Sequence, residues 1–297
     1  MSLISDLKKL DIGKVISKPL LKDYTTYKLA GDAIVIVFPD CEESLIDLLK
    51  YLRDKKIKHM ILGNGSNVIF NKKYDGVIIK LDNFNSLKII NNTITVGAGY
   101  MLNKLATRVS RLGLTGMEFA TGIPGTVGGA VYMNAGAYKS DMGYIVTKIK
   151  VLTPDYKIKT MYNKDLEFHY RSSFLQHHKD YICLEATITL VKGNPSEIIE
   201  LIEERKKRRI ETQPLEYPSA GSVFRNPEGD FAGRLIEEIG YKGKSVGDAK
   251  VSEKHANFII NNGNASGEDI KKLINEIKDK VKEKYDIELH VEQEFIE

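Results

Sequence analysis

Residues 118–138 read EFATGIPGTVGGAVYMNAGAY, the most informative stretch of the chain. Gly122, Gly125, Gly128, Gly129 and Gly136 stand among small apolar residues with almost no charge. Ordered glycine is entropically costly and leaves nothing to pack, so such a cluster needs a physical reason. One reason is close approach of backbone N–H groups to an anionic ligand, because a side chain would hold a phosphate away. The other is a run of tight turns in a β-rich domain, which is the commoner case for an isolated cluster.

This cluster is not isolated. Gly63-Asn64-Gly65-Ser66-Asn67 directly follows the apolar run His59-Met60-Ile61-Leu62. A strand ending in small polar residues presents backbone amides, hydroxyls and side-chain amides at one point, which suits a phosphate or ribityl group. The chain then continues through Val68-Ile69-Phe70, a β-like run, so the GxGxxG turn that opens a helix in dinucleotide folds is absent. No GxxxxGK[ST] loop occurs either. Two uncharged glycine-rich segments point to one long ligand with a diphosphate at its middle.

The flanking segments alternate helix and strand and predict an α+β chain. Residues 33–38 (AIVIVF) form a continuous apolar, β-branched run, hence a buried strand. Asp40, with Glu43 three residues on, is expected to cap a helix carrying Leu45, Leu48, Leu49 and Leu52, and 57–62 is the next strand. Residues 33–62 thus read as a βαβ unit. Further strands are expected at 76–81, 87–90, 93–96, 148–152, 157–162 and 182–191, with Asn91-Asn92 turning a hairpin and a helix over 101–112. After Gln213-Pro214 the texture changes. A helix near 231–239, a strand at 256–260 and a helix capped at Ser266 with Ile270, Leu273, Ile274, Ile277 and Val281 on one face predict a second, smaller domain. The segment 288–296 alternates like a strand.

Composition narrows the function classes. The chain has 297 residues, 28% of them charged and 42% hydrophobic, an ordinary soluble composition with room for two domains. A net charge of +4 is too mild to imply nucleic acid. The N-terminus MSLISDLKKLDIGKVISK lacks an apolar core of signal length, and no run approaches a membrane span. Cys41 and Cys183 make no metal or redox motif and are expected to be reduced core thiols. The six histidines show no ligand spacing, so no metal is implied. The run Arg205-Lys206-Lys207-Arg208-Arg209 closes a helical pattern from Ser196 whose apolar face is Ile198, Ile199, Leu201 and Ile202. It reads as a solvated helix end complementing the dipole, with steering of an anionic substrate as the alternative.

Six blocks in order carry a resemblance: YKLAGDA (27–33), GNGSN (63–67), TGIPGTVGGAVYMNAGAY (121–138), YRSSF (170–174), PSAGSVFRNP (218–227) and ELHVEQEFIE (288–297). Together they resemble the UDP-N-acetylenolpyruvoylglucosamine reductases, flavoenzymes of bacterial peptidoglycan synthesis, over essentially the whole chain. The departures are Ala30, where the family usually has glycine, and the tail VEQEFIE.

The resemblance implies a two-part FAD-binding domain of the PCMH type over residues 1–214, with a βαβ subdomain at about 20–80 and a flavin-clamping subdomain at about 81–214. A smaller α/β substrate-binding domain would follow at 215–285, and 286–297 would return as a strand to the active site. It also implies a cytoplasmic enzyme that reduces UDP-N-acetylglucosamine enolpyruvate to UDP-N-acetylmuramate with NADPH, without nucleic-acid, membrane or obligate protein partners. Non-covalent FAD would be held by Gly63, Asn64, Gly65, Ser66, Asn67, Gly122, Ile123, Pro124, Gly125, Val127, Gly128, Gly129 and Ala130.

Reduction of an enolpyruvyl ether places a hydride, here from flavin N5, on the vinyl carbon and a proton on its neighbour. The protein must hold the flavin, stabilise charge on the substrate carboxylate and supply the proton. Arg171 suits the carboxylate, since guanidinium is always charged and grips it bidentately. By resemblance Ser222 is the proton donor, Glu292 would polarise the carboxylate region or share a proton, and Arg225, Asn226 and His255 contact substrate. Taken singly, Arg171 reads more readily as a surface ion-pair residue, and Ser222 reads also as a turn residue bonding its own loop. Glu292 and Glu294 share a strand face, and only the family's tail pattern favours Glu292. The interval from Arg171 to Ser222 leaves little room for the long loop that bears a lid tyrosine in one branch of that family, so the chain resembles the shorter, type II branch. The competing readings are another FAD oxidoreductase of this fold, such as a sugar or alcohol oxidase, and a non-enzymatic binding module.

Overall fold

The computed structural model describes residues 3–297. Contacts group them into two compact units, one taking the chain up to Ser17, Val35–Asn64 and Gly76–Lys206, the other Lys18–Ile34, Gly65–Asp75 and Lys207–Glu297. This division is discontinuous, unlike the contiguous break near residue 214 that the texture suggests. Tyr27, Leu29 and Ile69 are the reason: all three sit in the same buried core as Phe224, Leu235 and Leu273. Apolar burial is blind to chain order, so two early segments join the C-terminal core.

Most residues of a four-stranded sheet belong to the first unit; its order is Gly13–Ser17, Asp32–Pro39, Lys73–Ile79, His59–Ile61. Gly13–Ser17 runs antiparallel to Asp32–Pro39, and His59–Ile61 runs parallel to Lys73–Ile79 with His59 opposite Val77. The helix Glu42–Asp54 makes the expected crossover and buries Leu45, Leu48, Leu49 and Leu52. Lys73–Ile79 lies between the two strands of that βαβ unit. The cap differs from expectation by one residue. Cys41 takes the N-cap position, and Asp40 instead accepts a hydrogen bond from Asn83 Nδ2 at 3.1 Å. Cys41 is therefore exposed and not a core thiol, whereas Cys183 is buried, which pushes its thiol up to about 12.

The same unit holds an antiparallel five-stranded sheet, in the order Ile158–Tyr162, Val146–Leu152, Ile182–Thr189, Thr93–Gly97, Leu87–Ile90. Its last two strands form the predicted hairpin, with Asn91 left-handed at φ 54°. The helix Leu102–Arg111 buries Leu102, Leu105, Ala106 and Val109, as its period requires. The helix Pro195–Thr212 departs from its predicted face: Ile198 alone is buried and Ile199 is exposed.

The second unit contains the three-stranded sheet Ser245–Val246, Ala249–Val251, Ile259–Asn261 and the helices Ala232–Glu238 and Gly267–Tyr285. Ser266 caps the latter in a box with Asp269, and the predicted apolar face is fully buried. The strand expected at 256–260 starts only at Ile259, because the Asn257 side chain is bonded to both backbone groups of Phe224. The tail forms a strand only at Glu294–Ile296, parallel to Val68–Phe70.

Candidate active site

The glycine-rich stretch contains a helix, Val127–Met133, that turn chemistry alone did not suggest. Thr126 caps it, its Oγ1 accepting from Gly129 N at 3.3 Å. Val127 N donates to Tyr100 O at 2.9 Å and Gly128 N to Ala98 O at 2.8 Å, so the first amides of the helix are committed within the protein. A methyl group on Gly128 would lie 2.9 Å from Ala98 Cβ, whereas one on Gly129 would meet only Thr126 Oγ1, at 3.3 Å. Gly128 is thus required by packing against Ala98, a reason other than ligand approach.

Beside this helix, the amides of Gly122, Gly125 and Thr126, and those of Gly63 and Asn64, donate no hydrogen bond among the described residues. The two segments touch. Asn64 Nδ2 donates to Pro124 O at 2.6 Å, and a methyl on Gly63 would lie 2.9 Å from Thr126 Oγ1. Lys80, only 6% exposed, donates to Gly63 O at 2.6 Å and pairs with Asp82 at 3.3 Å. Lys80 thus holds the Gly63 carbonyl and adds positive charge beside the Gly63 and Asn64 amides. Nothing in the sequence singled it out, since it closes an ordinary strand. Ile123, Val127 and Ala130 line the same turn and helix, their amides bonded to Ala120 O, Tyr100 O and Thr126 O.

Arg171 belongs to this unit. It is the second residue of a two-residue turn between His169 and Ser172, with φ 55°, a left-handed conformation costly for a side-chain-bearing residue. The glycine-rich segment holds the turn in place. Asn134, buried at the left-handed end of its helix, donates from Nδ2 to His169 O at 2.8 Å. The guanidinium donates to Gly136 O at 2.7 Å and lies 5.1 Å over the Tyr170 ring. Asn134 was missed by sequence reasoning, because an asparagine after a helix reads as an ordinary end cap.

The other predicted residues lie in the second unit. Ser222 sits in a turn whose backbone is closely tied. Val223 N donates to Asn257 O at 2.9 Å, Phe224 N to Asn257 Oδ1 at 2.9 Å, and Asn257 Nδ2 back to Phe224 O at 2.8 Å. The tail runs alongside, with Glu292 N donating to Val223 O at 2.8 Å and Arg225 N to His290 O at 2.9 Å. Ser222 and Glu292, far apart in sequence, are therefore brought together. The half-buried Ser222 hydroxyl makes no hydrogen bond among the described residues, so it does not bond its own turn.

Asn67 joins the tail as well, its Nδ2 donating to Glu292 O at 3.0 Å while its own carbonyl accepts from Glu294 N at 2.9 Å. Gly65 accepts from Thr26 N at 3.1 Å, and the amides of Gly65 and Ser66 have no acceptor among the described residues. Arg225 buries an Nε that has no partner. Asn226 is exposed and caps the helix Ala232–Glu238 by accepting from Ala232 N at 3.1 Å. His255 Nδ1 accepts from Asn257 N at 3.2 Å and its ring packs 4.9 Å from that of Phe258. Burial, with Lys242 nearby, pushes the His255 imidazole below its usual value, so at neutral pH it is uncharged with its remaining proton on Nε2.

Residues 33–162 match the family model of an FAD binding domain, and residues 213–296 match that of the C-terminal domain of UDP-N-acetylenolpyruvoylglucosamine reductase. The reductase of Caldanaerobacter subterraneus is 45% identical over 99% of this chain and 98% of its own length; that of Bacillus licheniformis is 44% identical over 99% and 97%. The crystal structure of the reductase from Thermus caldophilus superposes with a TM-score of 0.82 at 34% identity, covering 96% of this chain and 99% of that one. With likeness in sequence and fold running end to end through both segments just described, the chain belongs to the UDP-N-acetylenolpyruvoylglucosamine reductase family.

Proposed function

We propose that this protein is the FAD-dependent enzyme that reduces UDP-N-acetylglucosamine enolpyruvate to UDP-N-acetylmuramate with NADPH, a cytoplasmic step of peptidoglycan precursor synthesis. The flavin is bound without a covalent link. The residues fit it: uncommitted amides at Gly63, Asn64, Gly122, Gly125 and Thr126 gather where two uncharged segments touch, as a diphosphate requires. The amides of Gly65 and Ser66 extend the same segment. Gly129 leaves room at the helix start, and Ile123 and Pro124 supply apolar surface, whereas the side chains of Val127 and Ala130 are buried in the core and hold the helix rather than the flavin. When bound, FAD supplies hydride from N5 to the vinyl carbon.

The protein's own residues do the rest. Arg171, held left-handed and pinned at Gly136, grips the substrate carboxylate and stabilises the negative charge that builds there. Arg225, with its orphaned Nε, and His255, neutral and donating from Nε2, bind the anionic nucleotide portion, with Asn226 at the edge. Ser222 donates the proton. Serine is a weak acid, so the acceptor must be the strongly basic enol-like carbon of the reduced substrate. Glu292 lies beside the Ser222 turn and replenishes or orients that proton. Between Arg171 and Ser222 the chain is filled by the short helix Phe174–His177, the strand Ile182–Thr189 and the helix Pro195–Thr212, which supports the shorter branch without a lid loop.

The observation that carries this reading is the Ser222 hydroxyl, left without a partner in a turn whose neighbouring backbone groups are committed. In Ser222→Ala, flavin bleaching by NADPH stays near the wild-type rate. Reoxidation by the enolpyruvyl substrate falls at least ~10²-fold, the scale for loss of a positioned acid. Substrate affinity changes little, because the hydroxyl acts only in the transition state. Rapid-mixing absorbance at the flavin band resolves the two steps, and near-normal reoxidation would remove Ser222 from the mechanism.

A further inference from the structure

We infer that Asn261 is a positioning residue for the flavin: it holds Lys28 in a left-handed turn and so seats residues 24–28 against Gly65 of the cofactor loop. The inference rests on the reading that the Gly65 and Ser66 amides face the flavin diphosphate.

Asn261 ends the strand Ile259–Asn261 and is only 4% exposed. Its Nδ2 donates to Tyr27 O at 3.1 Å and to Lys28 O at 3.3 Å. Its Oδ1 accepts from Gly263 N at 3.1 Å and from Ala265 N at 3.0 Å. Two carbonyls meet the NH₂ and two N–H groups meet the oxygen, so partners on both sides fix which way the amide faces.

Packing and hydrogen bonding divide the work on the early segment. Tyr27 and Leu29 are buried in the C-terminal core, which fixes where the segment lies. Lys28 between them is exposed and takes φ 52°, a conformation disfavoured about 5- to 30-fold for a residue with a side chain. The Tyr27 and Lys28 carbonyls belong to the two peptide groups flanking Lys28, so gripping both holds its φ and ψ. Thr26 N then donates to Gly65 O at 3.1 Å. A methyl on Gly65 would stand 2.3 Å from Tyr24 O and 2.8 Å from Thr25 Cα, so the two backbones touch. The Gly65 and Ser66 amides themselves have no acceptor among the described residues. A shift of residues 24–28 therefore passes directly to the loop that offers those amides. A loop correctly seated in only a tenth of the molecules binds its ligand ten-fold more weakly.

The experiment strips the full chain of flavin, refills it with FAD and reads the dissociation constant by flavin fluorescence, with urea unfolding measured beside it. Asn261→Ala should raise the FAD dissociation constant about 10-fold. Lys28→Val, whose β-branched side chain resists left-handed backbone, should raise it about 5-fold. Lys28→Gly removes the same charge but accepts φ > 0 freely, and should stay within about two-fold of wild type. Asn261→Ala and Lys28→Val together should fall short of the product of their separate effects, because both act on one turn. A purely structural asparagine would lower the urea midpoint and leave FAD affinity unchanged. That result, with Gly65→Ala binding weakly, overturns the inference and leaves the cofactor loop standing. Lys28→Gly as weak as Lys28→Val also overturns it, since the lysine charge and not the turn would then hold the flavin, and so does full additivity of the pair. Normal FAD affinity in Gly65→Ala overturns the cofactor loop and the inference together. Should Asn261→Ala fail to fold, the contrast between Lys28→Val and Lys28→Gly decides.

Discussion

Two adjacent glycines that look alike in sequence should differ sharply in their response to the same substitution. A methyl on Gly128 would stand 2.9 Å from Ala98 Cβ and 3.2 Å from Ala98 O. Carbon atoms rest about 3.5–4.0 Å apart, so the contact must open by about 0.6–1 Å. Ala98 is 2% exposed and its Cβ is fixed to the backbone, so no rotamer relieves the clash. Opening it stretches Gly128 N to Ala98 O, 2.8 Å, and Val127 N to Tyr100 O, 2.9 Å. Overpacking costs about 1–3 kcal/mol and a weakened buried backbone bond about 1 more, so Gly128→Ala should lose about 2–4 kcal/mol. In Gly129→Ala the methyl meets only the Thr126 hydroxyl. Any loss of that cap, about 1 kcal/mol, is offset by a helix-propensity gain of about 0.8–1.0 kcal/mol. The net change is near zero. Urea unfolding of flavin-stripped protein reads both, since neither clash involves a ligand, with comparison of slopes to confirm that the unfolded states match. Equal midpoints for the two variants, or a larger loss in Gly129→Ala, would refute the packing role of Gly128.

Two further outcomes are expected. Acid precipitation of purified yellow protein should leave the flavin in the supernatant, and colour in the pellet would contradict non-covalent binding. His255 titrates below its usual value when folded, so its contribution to stability is complete above the unfolded value of about 6.5 and is lost as pH falls, because only the unfolded chain readily takes the proton. His255→Gln should accordingly flatten the fall in urea midpoint between about pH 7.5 and 5.5, and parallel curves for the two proteins would exclude it.

Features that depend only on neighbours along the chain are legible in the residues alone. The hairpin turned at Asn91-Asn92, the helix Leu102–Arg111 and the helix capped at Ser266 follow from a turn, a period and a capping box, each complete within a few residues. The sequence also exposed the family, because the glycine-rich and serine-turn blocks are rare and ordered. Tertiary structure decided the rest, because the physics there acts between distant segments. Tyr27 and Ile69 joined the C-terminal core because burial does not read chain order. Gly128 proved to be a packing glycine only once Ala98 stood against it. Asn134, Lys80 and Gln293 are ordinary polar residues in sequence. Each gained its place by donating to a backbone carbonyl, of His169, Gly63 or Ala220, that stands elsewhere in the chain.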